Sequence, residues 1–419
     1  MRLNRKAMAL AVGAALAAPG AHAQIKSPAG TDWEFYGKFY PEMTHAHGEG
    51  ATAPGTTGLS TLAGTLGGNA IVPRWEMQIS NTYIGFRGSK GIGSGSKAIW
   101  QLEQRVNIDE GNPSTGTAPS FANRDSFAGV ANADWGTIRL GNMDTPFKKF
   151  GDTLGFLGVS SGNFVTTTNV TRKTGFGTSS SSSFNLRRAN SVDFASPKIL
   201  GGLQTAVQYS LGDPSEDKIT VTPKRNPRVV SWGVKWEQGP LYAAFAQESH
   251  LDLFGGSRNA PAARSNFADP SVNSVDTANQ FTVAYKIGVH TIEADYLIKR
   301  YKEDNVVVNG RFQEYKNNAY MLVLESRWSG AWRTTFHYVK SSAGSCTLLN
   351  TNCTTDGLEG KQISAGAAYF VDPNFYLFVL ASKLTNGSSA RYSNVASTQP
   401  DPNPGEDITQ GAVGLAYTF

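Results

Sequence analysis

The chain of 419 residues is 40% hydrophobic and 17% charged, with a formal net charge of +5. No stretch approaches the roughly 18 to 20 consecutive apolar residues of a membrane-spanning helix, so the sequence predicts no helical membrane span. The average composition is that of a soluble protein of two or three domains, and the distribution of apolar residues is therefore more informative than their number.

Residues 1–23 have the pattern of a secretory signal peptide. Arg2, Arg5 and Lys6 precede an apolar run over residues 8–18, and small residues around Ala23 predict cleavage after that position. Loss of these three basic residues lowers the formal charge from +5 to +2. A nearly neutral exported chain is a poor nucleic-acid binder, so we expect no nucleic-acid partner.

The mature chain, residues 24–419, contains many segments in which apolar and polar residues alternate with period two. They include, in chain order, residues 100–106, 137–141, 230–236, 280–287 and 411–419. In the last segment Val413, Leu415 and Tyr417 share one side, and small or polar residues occupy the other. This alternation predicts β-strands with one apolar face.

The connections between these segments alternate between long and short. The long ones lie near residues 48–73, 110–121, 144–186, 212–226, 252–277, 303–316, 342–360 and 386–407. The short ones lie at residues 89–96, 133–134, 197–202, 237–240, 288, 329–330 and 372–374. Eight long loops and seven short turns predict an all-β fold, a sixteen-stranded antiparallel transmembrane β-barrel in outer-membrane lipid. A water-soluble pair of sandwiches is the alternative, but it predicts no such alternation of loop lengths.

The chain ends in a large aromatic residue. We expect Tyr417 and Phe419 to lie at the periplasmic interface, with Phe419 closing the barrel beside a first strand at residues 33–40. A terminal Phe after alternating apolar residues also resembles the signal that outer-membrane proteins present to their assembly machinery. An incidental hydrophobic terminus is the alternative interpretation.

Several stretches resemble the Gram-negative general porins of the beta-proteobacterial type. They are NTYIGFRG (81–88), KAIWQLEQ (97–104), VNID (106–109), NRDSFAG (123–129), WGTIRLGN (135–142) and RRANSVDFASP (187–197). The strand count and the terminal Phe extend this resemblance over the mature chain. It implies a homotrimeric, water-filled pore in the bacterial outer membrane, narrowed by a third loop that folds into the barrel.

The longest connection, residues 144–186, has the position of that constriction loop. It carries Lys148, Lys149 and Asp152, together with Arg172 and Lys173. Strand parity independently directs five arginines away from the lipid: Arg87, Arg105, Arg124, Arg139 and Arg187. We therefore expect a basic arc on one wall, with Glu103 among the pore-lining residues.

The resemblance carries the family's wall arginines best onto Arg124 and Arg187. Where relatives commonly have Ser-Arg, this chain has Thr82 and Tyr83, so one member of the arginine cluster is missing. One acid against four basic residues on the loop predicts passive diffusion of small hydrophilic solutes and ions with weak to moderate anion preference. The alternative is that each arginine only pairs with a lumen carboxylate, for which the candidates are Glu103, Asp193, Glu293, Asp295 and Glu325.

The two cysteines and the alternative functions have weaker support in the sequence. Cys346 and Cys353 lie in a polar segment and predict a loop disulfide in an exported protein, with a metal site or a reactive thiol as alternatives. A substrate-specific channel, and an adhesin or receptor that uses the long loops, are the alternative functions. We find no Ser/His/acid group for an enzyme and expect no cofactor and no metal.

Overall fold

A computed structural model describes residues 31–52, 59, 68–79, 81–108, 121–151, 153–154, 164–212, 225–328, 330–395 and 398–419. The predicted signal peptide and Asp152 lie outside these residues. Within them, none of the helices combines the length and the apolar character that a membrane crossing requires. The strands form one continuous antiparallel sheet.

The strand segments of the described chain are as follows. They are β1 (Asp32–Phe39), β2 (Glu42–Glu49), β3 (Arg74–Gln78), β4 (Tyr83–Gly93), β5 (Ser96–Arg105), β6 (Ser126–Asn132), β7 (Gly136–Asp144), β8 (Arg187–Ala195), β9 (Leu203–Ser210), β10 (Arg228–Gln238), β11 (Leu241–Leu251), β12 (Asn273–Ile287), β13 (His290–Asp304), β14 (Phe312–Arg327), β15 (Trp332–Ser341), β16 (Ser345–Leu348), β17 (Gly360–Asp372), β18 (Phe375–Asn386) and β19 (Asp407–Thr418).

Three barrel strands are each divided into two segments, so the nineteen segments form sixteen strands. β1 and β2 both pair with β19, and Pro41, which has no N–H to donate, lies between them. β4 pairs with β1 and β3 pairs with β2, so β3 and β4 are two segments of the second barrel strand. β15 and β16 both pair with β14 and form another divided strand. The pairing of the first strand with the last closes the barrel, and the predicted fold is confirmed.

The two faces of the strands differ as the alternation predicts. On β12, Phe281 and Val283 are 47% and 51% exposed, whereas Gln280 and Thr282 are 2% and 1% exposed. An exposed apolar face that runs around a closed barrel is the surface that lipid covers, and the opposite face borders the lumen.

The turns also follow the predicted alternation. Gly239 and Gly288, both with positive φ, make short turns at one rim, between β10 and β11 and between β12 and β13. Two long connections are shorter than predicted, because β12 begins at Asn273 and β16 lies within residues 342–360. β12, β13 and β14 have 15, 15 and 16 residues, more than the roughly 9 to 11 that cross a membrane, so they continue beyond the lipid.

The C-terminal residue lies beside the first strand. The backbone N–H of Phe419 donates to the carbonyl of Gly37 at 3.1 Å, and the N–H of Gly37 donates back at 3.1 Å. The ring of Phe419 lies 5.3 Å from that of Phe35 and 5.6 Å from that of Phe39. A Cβ on Gly37 would come within 2.6 Å of the Phe419 ring, so glycine makes room for this terminal aromatic contact.

The described parts of residues 144–186 contact side chains on the lumen face. Thr145 caps α1 (Pro146–Phe150), and Pro146 occupies its first turn, where no N–H is needed. The N–H of Phe147 then donates to Ser231 Oγ on β10 at 3.0 Å.

Further along the same connection, α2 (Thr168–Thr171) is followed by a 3-10 turn (Ser180–Ser182). Tyr301 OH on β13 donates to the carbonyl of Ser182 at 2.7 Å. On β17, Gln362 Nε2 lies 3.1 to 3.2 Å from the carbonyl oxygens of residues 164–166. These bonds hold the connection against β13 and β17.

The two cysteines are joined by a disulfide, with their Cα atoms 5.7 Å apart. Cys346 belongs to β16, and Cys353 lies in the connection that follows it. The bond therefore closes a short loop at the rim that carries the long connections.

Candidate functional site

The predicted basic residues lie on adjacent strands of one wall. Arg87 is on β4 and Arg105 at the end of β5, while Arg124 precedes β6, Arg139 is on β7 and Arg187 begins β8. These strands are neighbours in the sheet. We call this set, with Lys148 and Lys149 of α1, the basic wall.

Two arginines of the basic wall combine an ion pair with a contact to a tyrosine ring. Arg87 pairs with Glu34 of β1, and its guanidinium carbon lies 4.7 Å from the centroid of the Tyr36 ring. Arg124 pairs with Glu103, and its guanidinium carbon lies 4.6 Å from the centroid of Tyr83.

A second cluster lies where residues 144–186 leave the wall. Arg187 pairs with Asp125 and, through Nη2, with Asp144 Oδ1 at 3.1 Å. Lys148 Nζ lies 2.8 Å from Asp144 Oδ1, and Lys149 Nζ lies 3.9 Å from Asp125 Oδ2. Burial lowers the pKa of the Lys149 ammonium, and the neighbouring Asp125 opposes this effect.

The remaining predicted residues are placed separately. Arg139 Nε lies 2.8 Å from Asp193 Oδ1 on β8, within the wall. The backbone N–H of Arg105 donates to Asn123 Oδ1 at 3.0 Å at the end of β5. Glu103 accepts from Tyr36 OH at 3.1 Å as well as from Arg124.

A cavity of about 390 Å³ lies beneath α1. Arg139, Lys149 and Lys235 supply positive charge to its lining, and Asp193 supplies the carboxylate. Three cations against one carboxylate in the lining make it a positively charged space.

A closed sixteen-stranded barrel with charged residues along its inner wall has the architecture of an outer-membrane pore. The model of the Gram-negative porin family matches residues 8–389 of the chain. The chain belongs to this family. The predicted family is therefore confirmed, and the porin is a protein of the bacterial outer membrane whose family and fold are those of channels.

Curated relatives align with this porin over shorter segments. Major outer membrane protein P.IA of Neisseria meningitidis serogroup C is 42% identical over 74 residues, which are 18% of this chain and 18% of that protein. Major outer membrane protein P.IB of Neisseria gonorrhoeae is 34% identical over 132 residues, 32% of this chain and 33% of that protein. The aligned part thus spans a third or less of the length of these relatives.

Solved structures resemble the porin over nearly its whole length. An anion-selective porin from Comamonas acidovorans has a TM-score of 0.66 and 17% identity, covering 93% of this chain and 100% of that one. OmpT of Vibrio cholerae in a trimer form has a TM-score of 0.59 and 11% identity, covering 93% of this chain and 99% of that one. At these identities the likeness shows the fold.

The charge pattern of the porin differs in part from the sequence-based prediction. Of the candidate carboxylates, Glu103 and Asp193 pair with wall arginines as anticipated. Three others have different partners. Glu293 accepts from the N–H of Thr153 at 3.0 Å, Asp295 accepts from Gln280 at 3.0 Å, and Glu325 pairs with Arg327 at 3.2 Å.

Sequence reasoning missed the carboxylates Glu34, Asp125 and Asp144. Asp144 is four residues before Lys148, a spacing at which opposite charges meet on a helical turn, so it was detectable. Asp125 follows Arg124 directly, but its partner Arg187 is distant in sequence, and no local pattern reveals that pair. With these additions, seven cations on the basic wall face five carboxylates.

Arg172, one of the four basic residues counted on the loop, is buried. It is 1% exposed, and its Nη2 donates to Gln280 Oε1 at 2.9 Å, while Nη1 donates to Asn185 Oδ1 at 3.0 Å. The residue therefore ties the loop to β12. Its charge is withdrawn from the water-filled space.

Proposed function

We propose that this porin is a general diffusion channel, a passive water-filled pathway for small hydrophilic solutes and ions with a weak to moderate preference for anions. The observation that carries the proposal is an unequal exposure of charge around the lumen. On the basic wall the side chains of Arg87 and Lys149 are 56% and 33% exposed, more than those of their partners Glu34 and Asp125, at 29% and 20%. Across the barrel, Glu293 and Asp295 are 0% and 4% exposed beneath the loop.

Lumen water therefore borders more positive than negative charge. In a narrow, low-dielectric passage such charges raise the local concentration of anions without holding any one of them tightly. The likeness in fold to an anion-selective porin is consistent with this preference.

Residues 144–186 form the constriction of the channel in this proposal. Their hydrogen bonds to Ser231, Tyr301 and Gln362 support the role, since these residues belong to three separate strands of the lumen wall. A segment anchored at several points inside a barrel reduces the open cross-section without blocking it.

The porin assembles as a homotrimer in this proposal, an arrangement supported by the trimer form of Vibrio cholerae OmpT. Tyr417 and Phe419 serve as the signal that the outer-membrane assembly machinery recognises. The exposed ring of Tyr417 and the contacts of the Phe419 ring with the first strand support that role.

The test is the current through purified protein in a planar bilayer with a KCl gradient. We expect large steps in groups of three and a reversal potential that favours chloride. Arg124→Ala combined with Arg187→Ala removes two of the seven wall cations and should abolish most of the preference. Arg300→Ala is the matched control, because Arg300 lies on the outward face of β13 and pairs with Glu314. A potential that favours potassium in the native protein would contradict the proposal.

A further inference from the structure

Tyr36 lies along the lumen wall rather than projecting away from it. It pairs across the sheet with Gly85 of β4, which pairs in turn with Glu103 of β5. A Cβ on Gly85 would lie 2.5 Å from Cζ of Tyr36, so only glycine leaves room for the ring over the backbone. The hydrogen bond from Tyr36 OH to Glu103 at 3.1 Å holds the ring in that position.

A second ring continues this surface. Tyr83 lies edge-on to Tyr36, with centroids 6.3 Å apart and an interplanar angle of 69°. Each ring has its own guanidinium, Arg87 at 4.7 Å from Tyr36 and Arg124 at 4.6 Å from Tyr83. These four residues form a continuous surface of flat groups, which we call the tyrosine–arginine surface.

The cations of this surface are partly neutralised. Arg87 already pairs with Glu34, and Arg124 pairs with Glu103. A guanidinium has five N–H donors, so each pair leaves donors for a further carboxylate while much of the net charge is cancelled. A small spherical anion therefore gains little binding free energy at this surface beyond what the general electrostatic potential of the lumen supplies.

A planar aromatic anion gains more binding free energy from this surface. Its ring can stack on a guanidinium or a tyrosine, since these planar groups attract one another beyond simple burial of area. Its carboxylate can accept from the guanidinium donors that Glu34 and Glu103 leave free. A saturated ring of the same charge and similar size makes the carboxylate contact but lacks the flat π surface.

We propose that the tyrosine–arginine surface is a subsite for small aromatic carboxylates of the size of benzoate. This inference deepens the proposed anion preference and rests on it. The subsite retards such solutes on their way through the pore, and Tyr83 contributes ring surface to it.

The experiment compares potassium benzoate with potassium cyclohexanecarboxylate as inhibitors of chloride current through the native porin in a bilayer. Half-maximal reduction should need about three to ten times more cyclohexanecarboxylate than benzoate, the ratio expected for one aromatic stacking contact. Tyr36→Leu and Tyr83→Leu should each bring the ratio close to one. Tyr83→Phe keeps the ring and should keep the ratio, and so should Tyr320→Leu on the lipid face.

The outcomes separate the two proposals. Equal inhibition by the two acids in a native porin that prefers chloride would overturn the aromatic subsite and leave the anion preference standing. A native porin that discriminates between the acids but shows no chloride preference would contradict the general anion preference instead. Loss of the ratio in Tyr83→Phe would also overturn the subsite, because the ring would then not be the cause.

Discussion

Neutralising two wall carboxylates should strengthen the anion preference of the porin. Asp125→Asn combined with Asp144→Asn keeps the shape of both side chains. In the native protein the backbone N–H of Asp144 donates to Asp125 Oδ1 at 3.0 Å, and the side-chain oxygen of an asparagine can accept the same bond. The seven wall cations would then face three carboxylates in place of five.

The expected size follows from Coulomb's law. A unit charge acts on an ion about 7 Å away in water with roughly 0.6 kcal/mol, so two charges contribute roughly 1.2 kcal/mol. Screening over about 10 Å at 0.1 M salt halves this to roughly 0.6 kcal/mol, a further enrichment of anions of about threefold. At 1 M salt the Debye length is about 3 Å, and most of the difference should disappear.

The assay is the reversal potential across a KCl gradient, at low and at high mean salt, for the native protein and the double variant. Asp304→Asn is the matched control, because Asp304 pairs with Lys302 at the outer end of β13, away from the basic wall. An unchanged or reduced chloride preference in the double variant at low salt would refute the electrostatic reasoning.

Three further changes test the loop, the terminus and the disulfide. Gln362→Ala removes a side-chain amide that lies within hydrogen-bonding distance of three carbonyls of residues 164–166, and the loss of about 1 to 2 kcal/mol of anchoring should make the open-channel current noisier. Phe419→Ala removes the ring that packs against the first strand and should lower the yield of assembled barrel in outer-membrane fractions. Cys346→Ser with Cys353→Ser opens a loop whose closure is worth about 2 to 3 kcal/mol, and should leave the conductance unchanged while limited proteolysis cuts the loop faster.

Each of these changes has a control or a contrary outcome. Gln247→Ala alters an amide on the outward face of β11, which bonds Asn279 at 2.9 Å, and should leave the current quiet. Phe281→Ala removes a lipid-facing ring in the middle of β12 and should assemble normally. A changed conductance in the cysteine variant would mean that the loop closed by the disulfide takes part in the pore.

The architecture was predictable because lipid imposes the same requirement on every strand. Phe281 and Val283 must be apolar and their neighbours on β12 need not be, so period two reveals the lipid face residue by residue. The strand count followed from loop lengths, which depend only on which rim a connection joins.

The site was less predictable because it depends on long-range contacts. Strand parity placed Arg124 and Arg139 on the lumen wall, but it could not show that Arg187 meets Asp125 across the sheet. Backbone irregularity also interrupts the alternation of side-chain directions along a strand. Asn190, with φ of +50°, lies in a distorted part of β8. Arg188, two residues before it, is 3% exposed, and its Nη2 lies 3.2 Å from Nε2 of His250.

The most direct test of the account is the reversal potential of the native porin at two salt concentrations. We propose that wall charge, and not a tight binding site, produces the preference for anions. Chloride should therefore be favoured at about 0.1 M salt, and the preference should fall toward zero near 1 M because salt screens the wall charge. A potential that favours potassium, or a chloride preference that does not depend on salt, would contradict it.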